Sequence, residues 1–162
     1  MFPTVHGIVG AGGKTAPAPG PGGPYLHYRL LIEAYGGSSG AIILNELELR
    51  ATPGGPTIAT GGTPFASSTS GGRPAGNAFD GVQNSFWQSR LTPQFPEHIG
   101  YTLPEPAEIS QYALRKYFTA NASTPSAWKL QGSNDGATWD TLATETGIVW
   151  SGPNYEWKVF SV

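Results

Sequence analysis

The sequence predicts an all-β protein: one jelly-roll β-sandwich that follows a Gly/Pro-rich N-terminal arm. Glycine (23) and proline (15) make up almost a quarter of the 162 residues, and both favour turns over helix interiors. Aromatic content is high (12%, with five tryptophans) beside few charged residues (12%), which is typical of a loop-rich fold with a dense core. Short apolar stretches with a period of two recur along the chain, and such stretches are typical of strands.

Residues 1–24 are predicted to be a flexible anchoring arm. From Gly10 to Pro24 the chain consists mainly of glycine, proline and alanine, and this composition cannot bury enough apolar surface to form a core. The sandwich domain is therefore assigned to residues 25–162.

The first two strands are predicted at residues 28–35 and 41–50. In each of them apolar and polar side chains alternate, as in a strand with one buried face. The turn residues Gly36–Gly40 lie between the two strands, so we expect them to pair as a hairpin.

The rest of the chain contains five more predicted strands. Residues 52–72 form a passage rich in Gly, Pro, Ser and Thr, with Ile58 and Phe65 as its few apolar anchors. Later stretches alternate in strand fashion between turn residues, and these are His98–Leu103, Ile109–Lys116, Trp128–Gly132, Trp139–Ala143 and Tyr155–Val162. Asn134-Asp135-Gly136 predicts a tight hairpin turn between two of them.

Composition also excludes several classes of function. The chain has no cysteine, which rules out disulfide frameworks, cysteine-based zinc sites and thiol catalysis. The net charge is −2 and basic residues do not cluster, so we expect no binding to nucleic acid. The apolar runs are too short to span a bilayer, so we expect no membrane insertion, and no secretory signal is visible.

The sequence predicts no enzyme. Its three histidines lie in dissimilar contexts, without a Ser-His-acid arrangement or a His pair at metal-binding spacing. Glu46 and Glu48 are two positions apart on one strand, so they cannot flank a scissile bond from opposite sides as a glycosidase dyad would.

Two motifs resemble the coagulation-factor type-C, or discoidin-like, superfamily, which includes many galactose-binding modules. They are Asn77–Trp87 (NAFDGVQNSFW) and Trp128–Trp139 (WKLQGSNDGATW), in this order and about 40 residues apart. The resemblance covers roughly residues 25–162. It implies a galactose-binding-like jelly roll that acts as a binding module, with Trp87, Trp128 and Trp139 in the core.

The order of the strands departs from the family. The family's closing strand resembles Leu44–Leu49 (LNELEL), which here lies near the N-terminus, and Tyr28–Ile32 resembles the strand that precedes it. This permuted order is similar to the discoidin-like domains of bacteriophage structural proteins.

The resemblance implies a structural calcium ion in the loop of the first motif. Calcium takes six to eight oxygen ligands, which mix carboxylates with carbonyls from a tight loop. The ligands implied are the carboxylates of Asp80 and Glu46, an oxygen of Ser85, and the carbonyls of Asn77, Val82 and Asn45. In the alternative interpretation, Asp80 only caps its own loop through Asx-type hydrogen bonds.

The resemblance also implies a carbohydrate site in loops at the end of the sandwich away from the metal loop. Aromatic faces would stack on the sugar, and polar side chains would bond its hydroxyl groups. The candidates are Arg90, Phe95, His98, Arg115, Tyr117, Trp150 and Tyr155, with Gln88 and Phe118 beside them.

Taken together, these features predict a non-catalytic virion structural or adhesion protein: a phage tail, fibre or decoration component that binds cell-surface carbohydrate during host attachment. Its expected location is the virion or another extracellular setting. The arm would contact other virion proteins, and the domain would form a homo-oligomer. Two alternatives remain open: a carbohydrate-binding module of a bacterial glycan-active enzyme, and a purely architectural domain without a sugar ligand.

Overall fold

The structure is a computed structural model that describes residues 23–37, 40–118 and 121–162 and has the predicted all-β sandwich architecture. The predicted arm lies outside the described residues except for Gly23 and Pro24. In the described ranges the strands are β1 (Tyr25–Tyr35), β2 (Ile43–Leu44), β3 (Glu46–Arg50), β4 (Thr63–Ala66), β5 (Trp87–Gln88), β6 (Glu97–Ala107), β7 (Gln111–Arg115), β8 (Pro125–Ser133), β9 (Asp140–Glu145) and β10 (Trp157–Ser161). Short 3-10 turns occupy Ala75–Ala78 and Asn121–Ser123. Within these ranges no helix is long and apolar enough to cross a membrane.

Two antiparallel sheets form the sandwich. The larger has the strand order β4-β6-β1-β8-β9, the smaller has the order β10-β7-β3, and β2 and β5 form a separate two-stranded ribbon. The core lies between the sheets and follows the period of two that the sequence shows. On β1, Tyr28, Leu30 and Ile32 are fully buried. Leu47 and Leu49 of β3 are buried from the opposite side.

The predicted hairpin between the first two strands is wrong. Both edges of β1 are occupied, by β6 and β8, whereas β3 pairs with β7 in the other sheet. The two strands share a core but not hydrogen bonds, because each must bury an apolar face and the two faces meet across the sandwich. Alternation indicates that a segment is a strand but does not specify which strand it pairs with.

The predicted strand at residues 41–50 is interrupted at Asn45, which separates β2 from β3. The passage at residues 52–72 contains β4, which its composition does not predict. Phe65 of this strand pairs with Gly100 of β6. The tight turn at Asn134–Gly136 is confirmed, since β8 and β9 pair directly. Gly136 takes φ +70° there, a conformation that glycine adopts without strain.

The predicted core position is confirmed for two of the three tryptophans. Trp87 and Trp128 are fully buried, and the Trp128 indole N–H donates to Tyr112 Oη at 3.1 Å. Trp139 is only half-buried. It precedes β9 and lies on the outer side of the large sheet, where the Arg29 guanidinium carbon is 3.9 Å from its ring centre. Its predicted core position is therefore wrong.

Candidate functional site

The loop at residues 77–86 lies against the start of β3, as the resemblance implied. A 3-10 turn at Ala75–Ala78 leads into it, and Gly81 has φ +71°. The Gly81 N–H points at the Glu46 carboxylate, 3.2 Å from each oxygen. Residues 35 positions apart in sequence therefore form one small polar site.

Asn45 binds the loop through its side-chain amide. The amide nitrogen donates to the carbonyl of Gln83 at 3.0 Å, to that of Val82 at 3.3 Å, and to that of Ser85. An NH₂ group has only two hydrogens for these three acceptors. Among the described residues, the buried Asn45 Oδ1 has no hydrogen-bond partner. The site thus holds more oxygen acceptors than donors.

Glu46 is buried in this site, with its residue surface only 4% exposed. Arg115 pairs with Glu46 across strands β3 and β7, and its Nη2 lies 3.4 Å from Glu46 Oε2. Burial raises the pKa of Glu46 to about 7, although the Gly81 hydrogen bond and the Arg115 charge both act to lower it. The nearby Asp80 charge raises it further. The hydrogen bond from Gly81 and the charge of Arg115 therefore do not fully offset the cost of burying the Glu46 charge.

The other predicted metal ligands have partners inside the loop. Asp80 is exposed, and its Oδ1 accepts a hydrogen bond from the Val82 N–H at 2.8 Å, which is the Asx arrangement of the alternative interpretation. The Asn77 amide donates to the carbonyl of Phe86 at 3.1 Å. The described residues contain no group of three or more His, Cys, Asp or Glu side chains placed to hold a metal. Carboxylates mixed with backbone carbonyls suit calcium better than a transition metal.

Aromatic side chains gather beside the same loop. β7 ends at Arg115, β10 begins at its partner Trp157, and the segments just outside both strands meet there. The Tyr117 ring lies 4.2 Å from that of Phe86 and 5.9 Å from that of Tyr155, and Tyr155 is 6.0 Å from Phe118.

Polar groups border these rings. The Arg73 guanidinium carbon lies 4.3 Å from the Phe86 ring centre, and Tyr155 Oη donates to Asn84 Oδ1 at 3.0 Å. We call this set the loop-end cluster, and its members are Arg73, Asn84, Phe86, Tyr117, Phe118 and Tyr155.

Two members of the loop-end cluster have unusual backbones. Phe118 has φ +37° and Tyr155 has φ +59°, and bulky side chains rarely adopt this left-handed region. Such conformations concentrate at binding and catalytic sites, where the surrounding structure holds them. Here they present aromatic rings at the surface, and Phe118 is 45% exposed.

The predicted carbohydrate residues do not form one site. Tyr117 and Tyr155 lie together in the loop-end cluster, and Arg115 lies close by as the partner of Glu46. This end carries the metal loop, so the expected placement of these three residues at the opposite end is wrong.

The other four candidates lie outside the loop-end cluster. Phe95 stacks on Tyr35, and Arg90 Nε lies 2.9 Å from Glu97 Oε1. Trp150 is buried, with its indole N–H donating to the carbonyl of Pro125 at 2.7 Å, and His98 lies on the outer side of the large sheet.

Sequence reasoning missed three members of the loop-end cluster: Arg73, Asn84 and Phe86. Asn84 and Phe86 lie within the first motif, and the aromatic at 86 next to Trp87 was the available signal. Arg73 belongs to a turn-rich passage and carries no local signal. Only the fold brings it over the Phe86 ring.

The sequence also matches the model of a known domain family. The model of the F5/8 type C domain matches residues 65–160, which is more than half of the chain. The chain belongs to the F5/8 type C domain family. Domains of this family are generally non-catalytic binding modules, and they often bind carbohydrate. Searches of the curated proteins and of the solved structures found no match.

The family match begins inside β4, yet two earlier strands are integral to the fold. β1 is the central strand of the large sheet, and β3 completes the small one. An F5/8 type C domain in this chain therefore needs residues N-terminal to the matched region to bury its core.

Proposed function

We propose that the protein is a non-catalytic module that binds carbohydrate through the loop-end cluster. The observation that carries the proposal is the convergence of three partly exposed aromatic rings with an arginine and an amide beside one loop. Aromatic faces pack on the apolar face of a sugar ring, while hydroxyl, amide and guanidinium groups bond its hydroxyls. Arg73 has no ion-pair partner among the described residues, so its donors are available to a ligand.

The test is to screen the protein on a glycan array and then to measure, by titration calorimetry, its affinity for a sugar that it binds on the array. Tyr155→Ala removes one ring of the cluster and the hydrogen bond to Asn84, and we expect it to weaken binding about tenfold or more. Tyr35→Ala is the matched control, because Tyr35 stacks on Phe95 elsewhere, and it should leave affinity unchanged. Equal affinity of the Tyr155 variant and the native protein would contradict the proposed site. If the protein binds no glycan on the array, the result would favour the alternative that the domain is purely architectural.

The loop at residues 77–86 is proposed to hold a structural calcium ion beside this cluster. The orphaned Asn45 Oδ1, the three carbonyls that share one amide group and the poorly compensated Glu46 carboxylate all support a cation there. Asp80 and Glu46 would supply charge, and Ser85 with the carbonyls of Asn77, Val82 and Asn45 would complete the shell. Bound calcium would fix the loop that carries Asn84 and Phe86.

Thermal unfolding with calcium and with chelator tests the metal, because a ligand bound only to the folded state raises the midpoint. We expect calcium to raise the midpoint temperature of the native protein. The control variant Glu33→Gln should respond in the same way, because the Glu33 carboxylate of the native protein only forms an exposed ion pair with Lys129. Glu46→Gln should abolish the effect. An equal calcium response in the Glu46 variant would refute the assignment.

We propose further that the domain is displayed on a virion, as a tail, fibre or decoration component. The support is the strand order, in which β1 and β3 precede the family match, together with the Gly/Pro-rich composition of residues 10–24. Light scattering on the full chain should then find a homo-oligomer, and the protein should copurify with capsid or tail proteins. A monomer that binds polysaccharide and no virion protein would instead favour a carbohydrate-binding module of a bacterial enzyme.

A further inference from the structure

Among the residues that the structure describes, most cationic side chains are paired with carboxylates. Of the nine Lys and Arg residues, Lys14 lies outside the described residues and six form ion pairs. The two that do not are Arg73, in the loop-end cluster, and Arg29. Both stack on an aromatic ring, on Phe86 and Trp139 respectively. Arg29 thus marks a second place where a fixed guanidinium lacks a counter-ion.

Arg29 lies on the outer face of the large sheet, at the centre of a row of side chains. It pairs with Gly100 of β6 on one side and with Gln131 of β8 on the other. Its Nε donates to Gln131 Oε1 at 2.9 Å, and its guanidinium carbon lies 3.9 Å from the Trp139 ring centre. These two contacts fix the plane of the guanidinium.

Gly100 lets an aromatic ring cover this row. A Cβ at position 100 would lie 2.5 Å from Cζ of Phe65 and 2.8 Å from Cβ of Arg29, so glycine alone leaves space for the ring. Phe65 lies 6.3 Å from Trp139 and 6.0 Å from His98 between ring centres. The outer face of a sheet is usually polar and solvated, whereas this one carries a sheet-face cluster: His27, Arg29, Phe65, His98, Thr102 and Trp139.

A concavity of about 250 Å³ opens within the cluster. Its walls are His27, Phe65, Thr102, Gly136 and Trp139. Among these walls, His27 Nδ1 and Thr102 Oγ1 form a hydrogen bond of 2.9 Å, and Phe65 and Trp139 supply aromatic surface. Aromatic lining combined with a few polar groups is the usual construction of a small-ligand site, and the volume suits a single sugar ring.

Among the described residues, Arg29 forms no ion pair with a carboxylate. Partial burial lowers the pKa of Arg29. Burial and the Arg29 charge lower the pKa of His98, although the Glu97 charge acts to raise it. Glu33, on the same face of β1, is four positions away, roughly 13 Å at ~3.3 Å per residue, and it pairs with Lys129. A ligand carboxylate would give Arg29 the ion-pair partner that it lacks among the described residues.

We propose that the sheet-face cluster binds an acidic sugar, with the ring between the aromatic wall and Thr102 and the carboxylate paired with Arg29. Arginine matches a carboxylate through two parallel N–H donors, and its stacking on Trp139 sets their direction in advance. None of the residues involved belongs to the loop-end cluster, so this site and the proposed loop-end site can succeed or fail independently.

The experiment is an NMR titration of the full chain with methyl glucuronide, and with methyl glucoside and inorganic phosphate as separate probes. The indole N–H signal of Trp139, assigned with Trp139→Phe, should shift with the glucuronide and not with the neutral glucoside. Arg29→Gln should raise the Kd for the glucuronide about tenfold or more. Arg50→Gln is the matched control, since Arg50 pairs with Glu48 in the small sheet, away from both proposed sites, and it should leave this Kd unchanged.

Several outcomes would overturn the proposal. These are the absence of a Trp139 shift with glucuronide, an unchanged Kd in a folded Arg29→Gln protein, and an equal shift with phosphate, which would make Arg29 a general anion site. If Arg29→Gln does not fold, Trp139→Leu provides the second measurement. It removes one of the two aromatic rings and the stacking partner of Arg29, so an unchanged Kd in that variant, followed by the backbone amide signal of Thr102, also refutes the site.

Discussion

Replacing Glu97 with glutamine should destabilise the protein, because this side chain organises two loops from within the fold. Its carboxylate is only 1% exposed. Oε2 accepts hydrogen bonds from the Ser68 hydroxyl at 2.8 Å and from the Ser67 hydroxyl, and Oε1 accepts one from the Gln94 N–H at 3.2 Å. Arg90 Nε lies 2.9 Å from Oε1. One carboxylate therefore joins residues 67–68 to residues 90–94.

The magnitude follows from these contacts. Hydrogen bonds to a charged group contribute about 1.5 to 3 kcal/mol each, and breaking a buried ion pair costs about 3 to 5 kcal/mol. Glutamine keeps one acceptor oxygen, the serine hydroxyls can turn to accept from its amide, and Arg90 is 42% exposed and regains water. The expected loss is therefore about 2 to 3 kcal/mol, which for a chain of this length lowers Tm by roughly 5 to 10 °C.

The effect must depend on pH in a defined direction. Burial acts to raise the pKa of Glu97, but the hydrogen bonds from Ser67, Ser68 and Gln94 and the charge of Arg90 outweigh it, so the pKa lies below its usual 4.5. A lowered carboxyl pKa stabilises the fold at pH values above the usual pKa. That stabilisation is lost as the pH falls through the lowered value, so the difference between the native protein and Glu97→Gln should shrink in acid.

The assay is urea unfolding followed by tryptophan fluorescence, at neutral pH and at about pH 3. Glu33→Gln is the control, since the ion pair of Glu33 with Lys129 is exposed, and it should change stability by less than about 0.5 kcal/mol. A Glu97 variant as stable as the control at neutral pH would refute the reasoning. So would a loss of stability that is the same at both pH values.

Three further predictions concern the free energy of unfolding. Gly100→Ala should cost about 2 to 4 kcal/mol in urea unfolding, because the new methyl group meets the Tyr28 carbonyl and the Phe65 ring; Gly81→Ala, which meets no atom within 4 Å but has φ +71°, should cost only about 1 kcal/mol. Tyr112→Phe should cost about 1 to 3 kcal/mol by the same assay, because the buried Trp128 indole loses its acceptor, and no loss would show that the indole finds another. Trp128→Leu should destabilise by about 3 kcal/mol or more and Trp139→Leu by about 1 kcal/mol, and equal losses in thermal unfolding would contradict the half-buried position of Trp139.

Much of the fold was predictable from local chemistry. The period of two located β1, β6, β7, β8 and β10, and Asp135-Gly136 predicted the β8–β9 turn. The two motifs identified the family and brought the loop at residues 77–86 to attention. Asn45 and Glu46 also lie beside that loop. The distance from Glu46 Oε1 to the Gly81 nitrogen is 3.2 Å.

By itself, then, the sequence determined the element types, the family and the residues of one loop, because alternation, turn chemistry and motifs act over neighbouring positions. Only the tertiary structure decided that β1 and β3 lie in different sheets, since a buried face does not specify which edge it pairs with. It also moved Trp139 from the expected core to the outer face beside Arg29, and it brought Arg73 over Phe86. Both arginines are isolated in sequence, and their surroundings come from strands and loops that meet only in the folded chain.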